Sequence, residues 1–497
     1  MKNNRQQKAI RIVATLALTL ALAGIAIPAQ AQTFTSLHSF GGIYGTPPDG
    51  SYPTGLVQGA NGYLYGATTA GGNETPEVSW GTVFRISTTG TETILDNLYT
   101  EGLSGSQAGL ALATNGDFYG VSNSGSGANS PGVPYKVTPS GAFTTYTDSC
   151  TVDCGTGPNT TMVQASNGDL YGANQGGGAY GEGTIFKLTL AGAQTTLHSF
   201  CETQNTEGYC LDGNGPYTAL VQGTNGDLYG ATHDGGPYGG GTIFKITMAG
   251  DFTTLHSFCR VSGCPDGAQP YAALVQGAGG NFYGVSSSGG AYDAGTFFTM
   301  TPSGALTTLY SFCGLADCAD GSAPLALMLA TDGNFYGMTG SGGASGGYGT
   351  IFQITPSGSL TTEHSFDGTD GFVSQVQPGP YLIQDTSGTF YGVTAEGGTD
   401  WPGCPTCNGT VFSLSMGLGP FVETLPTSGD VGSTVRILGN RLTGATSVTF
   451  DGVAATFTVA ASTEITTTVP TGATTGVVQV VTSAGTTLTS NLVFTVR

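Results

Sequence analysis

One short phrase returns seven times along this chain and restricts it to an array. It reads NGYLYG, NGDFYG, NGDLYG, NGDLYG, GGNFYG, DGNFYG and SGTFYG, with final glycines Gly66, Gly120, Gly172, Gly230, Gly284, Gly337 and Gly392. The intervals are 54, 52, 58, 54, 53 and 55 residues, too even for unrelated segments. Around the fourth copy the chain runs ALVQGTNGDLYGAT, a Gly-rich stretch, GTIFKIT, a MAGD turn and TTLHSFC. These are four short apolar or β-branched runs separated by turn residues, with no helix-length segment between them. Each copy thus predicts a four-stranded blade, and the chain is all-β. A blade cannot bury both faces alone, and a ring of blades buries them without an exposed edge. Seven copies predict a seven-bladed β-propeller. The last copy stops at GTVFSL (409–414), while FTSLHSF near the N-terminus, with Leu37 and Phe40, has no strands before it. The N-terminal strand is expected to close the last blade and remove its open edge.

The 84 glycines and 23 prolines among 497 residues would fit a disordered chain, with charged residues only 9%. Aromatic and β-branched residues recur in register, so the glycines read as turn and close-packing positions. NG at Asn61, Asn115, Asn167 and Asn225 is the two-residue hairpin signal, predicting positive φ at both central positions. Residues 1–31 read as a signal peptide cleaved near Ala31: Lys2, Arg5, Lys8 and Arg11 precede an apolar run that ends at Ala29-Gln30-Ala31. Its loss moves the net charge from −20 to −24 (−20 minus the four positive charges). Eight Lys and Arg then remain, too few for phosphate binding, so no nucleic-acid partner is expected. No second long apolar segment follows, so no transmembrane segment is expected in the mature chain. A secreted or cell-envelope location fits the cysteines, which fall as five local couples: Cys150/Cys154, Cys201/Cys210, Cys259/Cys264, Cys313/Cys318 and Cys404/Cys407. They read as disulfides within single loops. For Cys404-Pro-Thr-Cys407 a redox site or half a zinc knuckle is the alternative.

The last segment, 417–497, has a different texture, with Thr- and Val-rich strands at sandwich spacing. It resembles an IPT/TIG immunoglobulin-like domain: Pro426, Gly429, Gly432 and Gly439 match the opening turns, Phe450-Asp451-Gly452 the middle hairpin, and Val469-Pro470 with Gly472 and Gly476 the later one. The resemblance implies a spacer or interaction module. The repeat region, 32–416, resembles the GloVer-type (Gloeobacter/Verrucomicrobia-type) repeats of exported bacterial proteins, with LVQG, LYG, GTIFK and TTLHSF in order. Copies one, three, four and five fit closely, while the second and seventh drift. That resemblance implies an exported propeller and names no activity.

Strand order puts the tight NG turns on one face. The other face carries the second-to-third loops and the connections between copies, with every cysteine couple. Function is expected on this loop-rich face. Two residue sets line it. Asp49, Asp212, Asp266, Asp320 and Asp367 each sit in a DG step after the outer strand, read as turn residues or as a ring of carboxylates. Calcium is the one cofactor this admits, at DGTDG with Asp367 and Asp370, although the spacing matches no known loop. Trp80, Tyr180, Tyr238, Tyr292, Tyr348 and Trp401 lie in the Gly-rich loops, where rings stack on sugars or apolar side chains, or on one another. His38, His198, His256 and His364, with Tyr310, share one outer-strand position and read as structural. Gln58, Gln164, Gln222, Gln276 and Gln384 recur in the inner strand and read as bridges between blades. His233, beside Asp234, is the one histidine outside the pattern and a candidate general base. No linear catalytic motif is present. The leading expectation is an exported, non-enzymatic binding or surface-interaction protein that recognises an extracellular glycan or protein ligand. A carbohydrate-acting hydrolase or lyase using non-repeating acids such as Glu182, Asp293, Glu396 and Asp400 is the alternative. A structural envelope component is the third.

Overall fold

The computed structural model describes residues 32–497 apart from 42–48, 73–79, 124–130, 148–149, 151, 159, 374–381 and 400–407. The expected leader, Asp400, Trp401, Cys404 and Cys407 therefore lie outside the described residues. Among the described residues the secondary structure is β except for one 3₁₀ turn at Ala316–Cys318. Each repeat copy forms one antiparallel sheet. In the fourth, strands Val221–Gln222, Leu228–Thr232, Thr242–Ile246 and Phe252–Ser257 pair in sequence order. The fifth adds Ala268–Pro270 against Phe282–Ser288. The seventh takes its outer strand from the other end of the chain: Thr33–Ser39 pairs antiparallel with Thr410–Ser415.

Cross-strand register explains the recurring phrase. Gly230 faces Phe244 of the GTIF run, and a Cβ on Gly230 would meet the Phe244 ring at 2.7 Å. Gly172 and Gly284 stand in the same relation to Phe186 and Phe298, at 2.6 and 2.5 Å. The glycine is thus the space into which the phenylalanine of the neighbouring strand lies. The tyrosine before it packs on the next sheet. Tyr65 stacks on Phe118 at 4.0 Å, Tyr229 meets Phe282 at 4.1 Å, and Tyr336 meets Phe390 at 4.5 Å. Where leucine stands in place of phenylalanine the pairing persists: Tyr171 shares a core with Leu228, and Tyr391 of the seventh sheet shares one with Leu64 of the first. These offset aromatic contacts add to the area each ring buries.

The inner-strand glutamines join neighbours as expected. Each accepts a backbone N–H from the turn of the preceding copy: Gln164 from Thr114 at 2.8 Å, Gln222 from Ser166 at 3.0 Å, Gln276 from Thr224 at 2.9 Å and Gln384 from Thr331 at 3.0 Å. Gln58 of the first copy accepts from Thr386 of the seventh at 2.9 Å. In the second and sixth copies the position that faces the aromatic of the phrase is Leu112 and Leu329, which cannot make this bond.

The NG turns depart from expectation. Only the glycines, Gly62, Gly116, Gly168 and Gly226, have positive φ, and the asparagines do not. Gly62 N–H donates to Gly59 O and Gly59 N–H to Tyr63 O, the pattern of a type I turn followed by a left-handed glycine. The asparagine is selected by its side chain instead. Asn61, Asn115, Asn167 and Asn225 each donate to the tyrosine hydroxyl four residues on, at 2.7, 3.0, 2.9 and 3.0 Å.

After the repeats, two sheets form a sandwich. One contains Thr434–Leu438 and Glu464–Thr468, the other Ser447–Phe450 and Val478–Val481, around a core that includes Val435, Ile437, Phe450 and Val480. The sandwich meets the repeats at the tight-turn end. Thr463 bonds the Ala60 carbonyl, Arg436 donates to Thr114 O at 3.3 Å, and Asn440 donates to the Thr386 hydroxyl at 2.9 Å. Replacing Gly230 by Val should force the Phe244 and Leu220 side chains apart and destabilise the chain by about 1–3 kcal/mol. A lower denaturation midpoint than the parent would show it; an unchanged midpoint would refute the packing role assigned to this glycine.

Candidate functional site

The end of the sheets away from the sandwich carries the longer loops. Its carboxylates are already engaged. Asp212 Oδ2 lies 3.0 Å from His198 Nε2 while its Oδ1 accepts the Cys201 N–H at 3.0 Å. Asp49 with His38, Asp266 with His256 and Asp320 with Tyr310 repeat the arrangement at 2.9, 3.0 and 2.7 Å. In the last such loop the partner of His364 is Asp370, at 2.7 Å, whereas Asp367 turns to Thr369 and to the Asp370 backbone. Each pair clasps an outer strand to the connection that follows it. The hydroxyl of the next sheet's GT threonine reinforces the clasp by donating to the same aspartate's carbonyl, as Thr242 does to Asp212 at 3.1 Å. Asp367 Oδ1 and both Asp370 oxygens are thus held by partners within the loop or on His364.

Four disulfides close loops on this face: Cys150–Cys154, Cys201–Cys210, Cys259–Cys264 and Cys313–Cys318. They suggest an oxidising, extracytoplasmic setting. No helix among the described residues is long and apolar enough to cross a membrane.

The aromatic set divides. Tyr180, Tyr238 and Tyr292, each three residues before the GT threonine's glycine, are 48%, 46% and 57% exposed. Trp80 instead packs edge-on against Tyr99 at 5.4 Å, and Tyr348 against Phe372 at 5.6 Å. The sequence reading missed further exposed side chains within or beside the disulfide loops: Val152, Tyr209, Leu211, Val261 and Leu315. Large apolar residues bounded by closely spaced cysteines were the signal available for them, since a tied loop cannot fold its tip inward.

His233 sits with the inner ends of the fourth and fifth sheets. Its Nδ1 lies 2.8 Å from Asp234 Oδ2, and its ring is flanked edge-on by Tyr217 and Tyr271 at 5.2 and 5.7 Å. Burial opposes ionisation of Asp234, but the hydrogen bond and charge of His233 prevail and hold its carboxyl below the usual range. Burial pushes the Tyr271 phenol up, and Tyr217 adds to the shift. Of the non-repeating acids, Glu182 accepts from Asn214 at 3.1 Å and Asp293 from the Gly289 N–H at 3.1 Å, while Glu396 pairs through its backbone with Phe372.

The Gloeobacter/Verrucomicrobia repeat model matches residues 52–265 and 260–456, and the IPT/TIG domain model matches 421–496. The chain belongs to the Gloeobacter/Verrucomicrobia repeat family and carries a C-terminal IPT/TIG domain. This combination suggests a binding or interaction role. No curated protein matches the sequence. Among solved structures, a streptogramin B lyase is 14% identical, with 77% of this chain and 97% of that one covered at a TM-score of 0.48. A fungal alcohol oxidase in complex with copper is 13% identical, covering 93% and 98% at 0.48. A putative 6-phosphogluconolactonase from Bacteroides uniformis is 14% identical, covering 69% and 89% at 0.42. No activity follows from likenesses at this level.

At the tight-turn end, the sandwich and the inner strands of the first, second, sixth and seventh sheets border a partly open pocket of about 260 Å³, lined by Leu56, Leu112, Met328, Leu382, Glu423 and Leu425 among others. Burial pushes the Glu423 carboxyl above its ordinary 4.5. A raised folded-state value means that this group favours folding when protonated, and the advantage is lost as pH climbs from 4.5 through the folded value. Glu423→Gln, which mimics the protonated form, is expected to be more stable than the parent at pH 8 and equal to it near pH 4. Urea midpoints at the two pH values test this, and equal midpoints at pH 8 would contradict it.

Proposed function

We propose that the seven sheets are the blades of a closed β-propeller and that the chain is an exported binding protein which recognises an extracellular glycan or protein ligand on the loop-rich face. Export follows from the leader at 1–31 and agrees with the disulfides. The ring reading is supported where the two ends of the array meet. The N-terminal strand completes the seventh sheet, Gln58 bridges to Thr386, and Tyr391 and Leu64 share a core. The sandwich then occupies the tight-turn face and leaves the other one for ligand. On this reading the repeats span 32–416 and the sandwich 417–497.

The observation that carries the binding role is the set of three tyrosines, Tyr180, Tyr238 and Tyr292, exposed at the same place in three consecutive sheets. Two-torsion aromatic side chains in constrained loops offer contact area at small entropic cost, and aliphatic tips beside them add apolar surface. Binding of the intact chain to arrays of polysaccharides and extracellular proteins would identify the ligand. Replacing all three tyrosines by Ala should then weaken binding by at least about tenfold, the equivalent of 1.4 kcal/mol, without changing the thermal midpoint. Unchanged affinity would remove the tyrosines from the site, and the absence of any saturable ligand would favour an envelope component.

A second reading, a carbohydrate-acting hydrolase or lyase, draws on one observation, the His233–Asp234 pair flanked by two tyrosines. A histidine oriented by a carboxylate has the form of a general base. Release of oligosaccharide from a polysaccharide panel, abolished in His233→Ala, would establish it. Binding without release would exclude it for the polysaccharides tried.

A further inference from the structure

The apolar cover over the repeating clasp is replaced at one place, and the replacement has the chemistry of a metal site. In successive sheets the first outer-strand position after the turn covers the histidine or tyrosine of the sheet before. Phe252 stacks on His198 at 4.0 Å and Phe34 on His364 at 3.8 Å. Leu306 and Leu360 hold the same register in the sheets that follow His256 and Tyr310. In the first sheet that position, paired with Ile86, is Glu92. Its neighbour in the clasp is His38, carried by the N-terminal strand of the seventh sheet.

A carboxylate has therefore replaced an apolar cover beside an existing His–Asp pair. His38 Nε2 is 2.9 Å from Asp49 Oδ2 and 3.8 Å from Glu92 Oε2, and the three donor atoms lie within 4.8 Å of one another. The Glu92 side chain is only 10% exposed. Its second oxygen, Oε1, is buried without a hydrogen-bond partner among the described residues. A buried carboxylate oxygen left unpaired is costly, and a cation at the centre of the three donors would remove that cost. Donors about 2.0–2.1 Å from a tetrahedral ion stand about 3.4 Å apart, a separation bracketed by the two distances to His38. Asp49 is oriented for the task, since its other oxygen accepts the Gly41 N–H at 2.9 Å, the outer-shell support that ligating carboxylates require.

We propose that His38, Asp49 and Glu92 bind one divalent transition-metal ion of the zinc class, with a fourth position left for water. The imidazole nitrogen and the small donor number select such an ion over calcium, which takes six to eight oxygens. The ion ties the N-terminal strand, the connection after it and the first sheet together, so the metal acts as a lock where the two ends of the array meet. This assignment is independent of ligand recognition by the loop face, and its tests are separate.

Full-length protein stripped with a chelator and titrated with zinc chloride in a calorimeter should bind one ion in a step that depends on Glu92, and its thermal midpoint should rise with zinc. Glu92→Gln should weaken that step by at least about tenfold. Glu92→Phe, which installs the residue the array uses over His198 and His364, should abolish it while keeping the fold, so the test survives if the glutamine variant is unstable. His256→Ala, in a clasp covered by leucine rather than a carboxylate, should leave zinc binding unchanged. Absence of a zinc step in the parent, or an equal step in Glu92→Phe, would overturn the proposal.

Discussion

The packing of each repeated tyrosine against the following sheet is the contact on which the rest of the molecule depends. A single four-stranded sheet of this size leaves its faces bare, and the tyrosine turns that deficit into a demand for a neighbour. The glycine after it admits the phenylalanine of the adjacent strand, so one tripeptide settles packing both within a sheet and between sheets. In four copies the asparagine in the preceding turn bonds the tyrosine hydroxyl and satisfies its polar tip, and in the sixth Tyr336 donates to Asp332 at 3.0 Å instead. Ring, tip and turn are specified within six residues, which is why the phrase returns with so little change.

Much of this could be read in advance because a repeat converts three-dimensional contacts into a period. Strand count, copy number, the bridging glutamines and the structural place of the outer-strand histidines all followed from position within the copy. What escaped were features that depend on conformation or on departures from the period. The NG dipeptide suggested two positive φ values, yet an asparagine bonded to a hydroxyl four residues away has no need of one. In the DGTDG loop the first aspartate looked equivalent to the others by order, but the distance to His364 selects Asp370. Glu92 stands in TETILDN (91–97), the outer strand of a first copy that otherwise fits closely, so position within the copy marks it only as a local departure from TTLHSF. Its partner His38 comes from the opposite end of the sequence, and only pairing of the N-terminal strand with Thr410–Ser415 brings the two together.

The candidate functional face shows the same division. Tyr180, Tyr238 and Tyr292 were visible by period and are exposed, whereas Trp80 and Tyr348 occupy similar loops but are drawn into local ring contacts by Tyr99 and Phe372. Position within the loop separates them: Trp80 and Tyr348 directly precede the GT glycine, whereas Tyr180, Tyr238 and Tyr292 stand three residues before it. The sandwich and the disulfide loops thus leave the molecule with two chemically distinct ends: one sealed by hydrogen bonds to turn carbonyls, the other bearing apolar tips on tied loops.

The glutamine bridges divide the array unevenly. They connect copies two through five in one run and copies six, seven and one in another, leaving two seams, at Leu112 and at Leu329, that lack this link and are joined instead by packing and by bonds at the loop end, Gly105 N–H to Trp80 O at the first and Ala323 N–H to Ala294 O at the second, both 2.8 Å. The first of these seams is the one the sandwich spans, with Thr463 on Ala60 to one side and Arg436 on Thr114 to the other. The C-terminal domain therefore serves as a splint across the first seam, while the junction between the fifth and sixth copies depends on the contacts of the two sheets themselves.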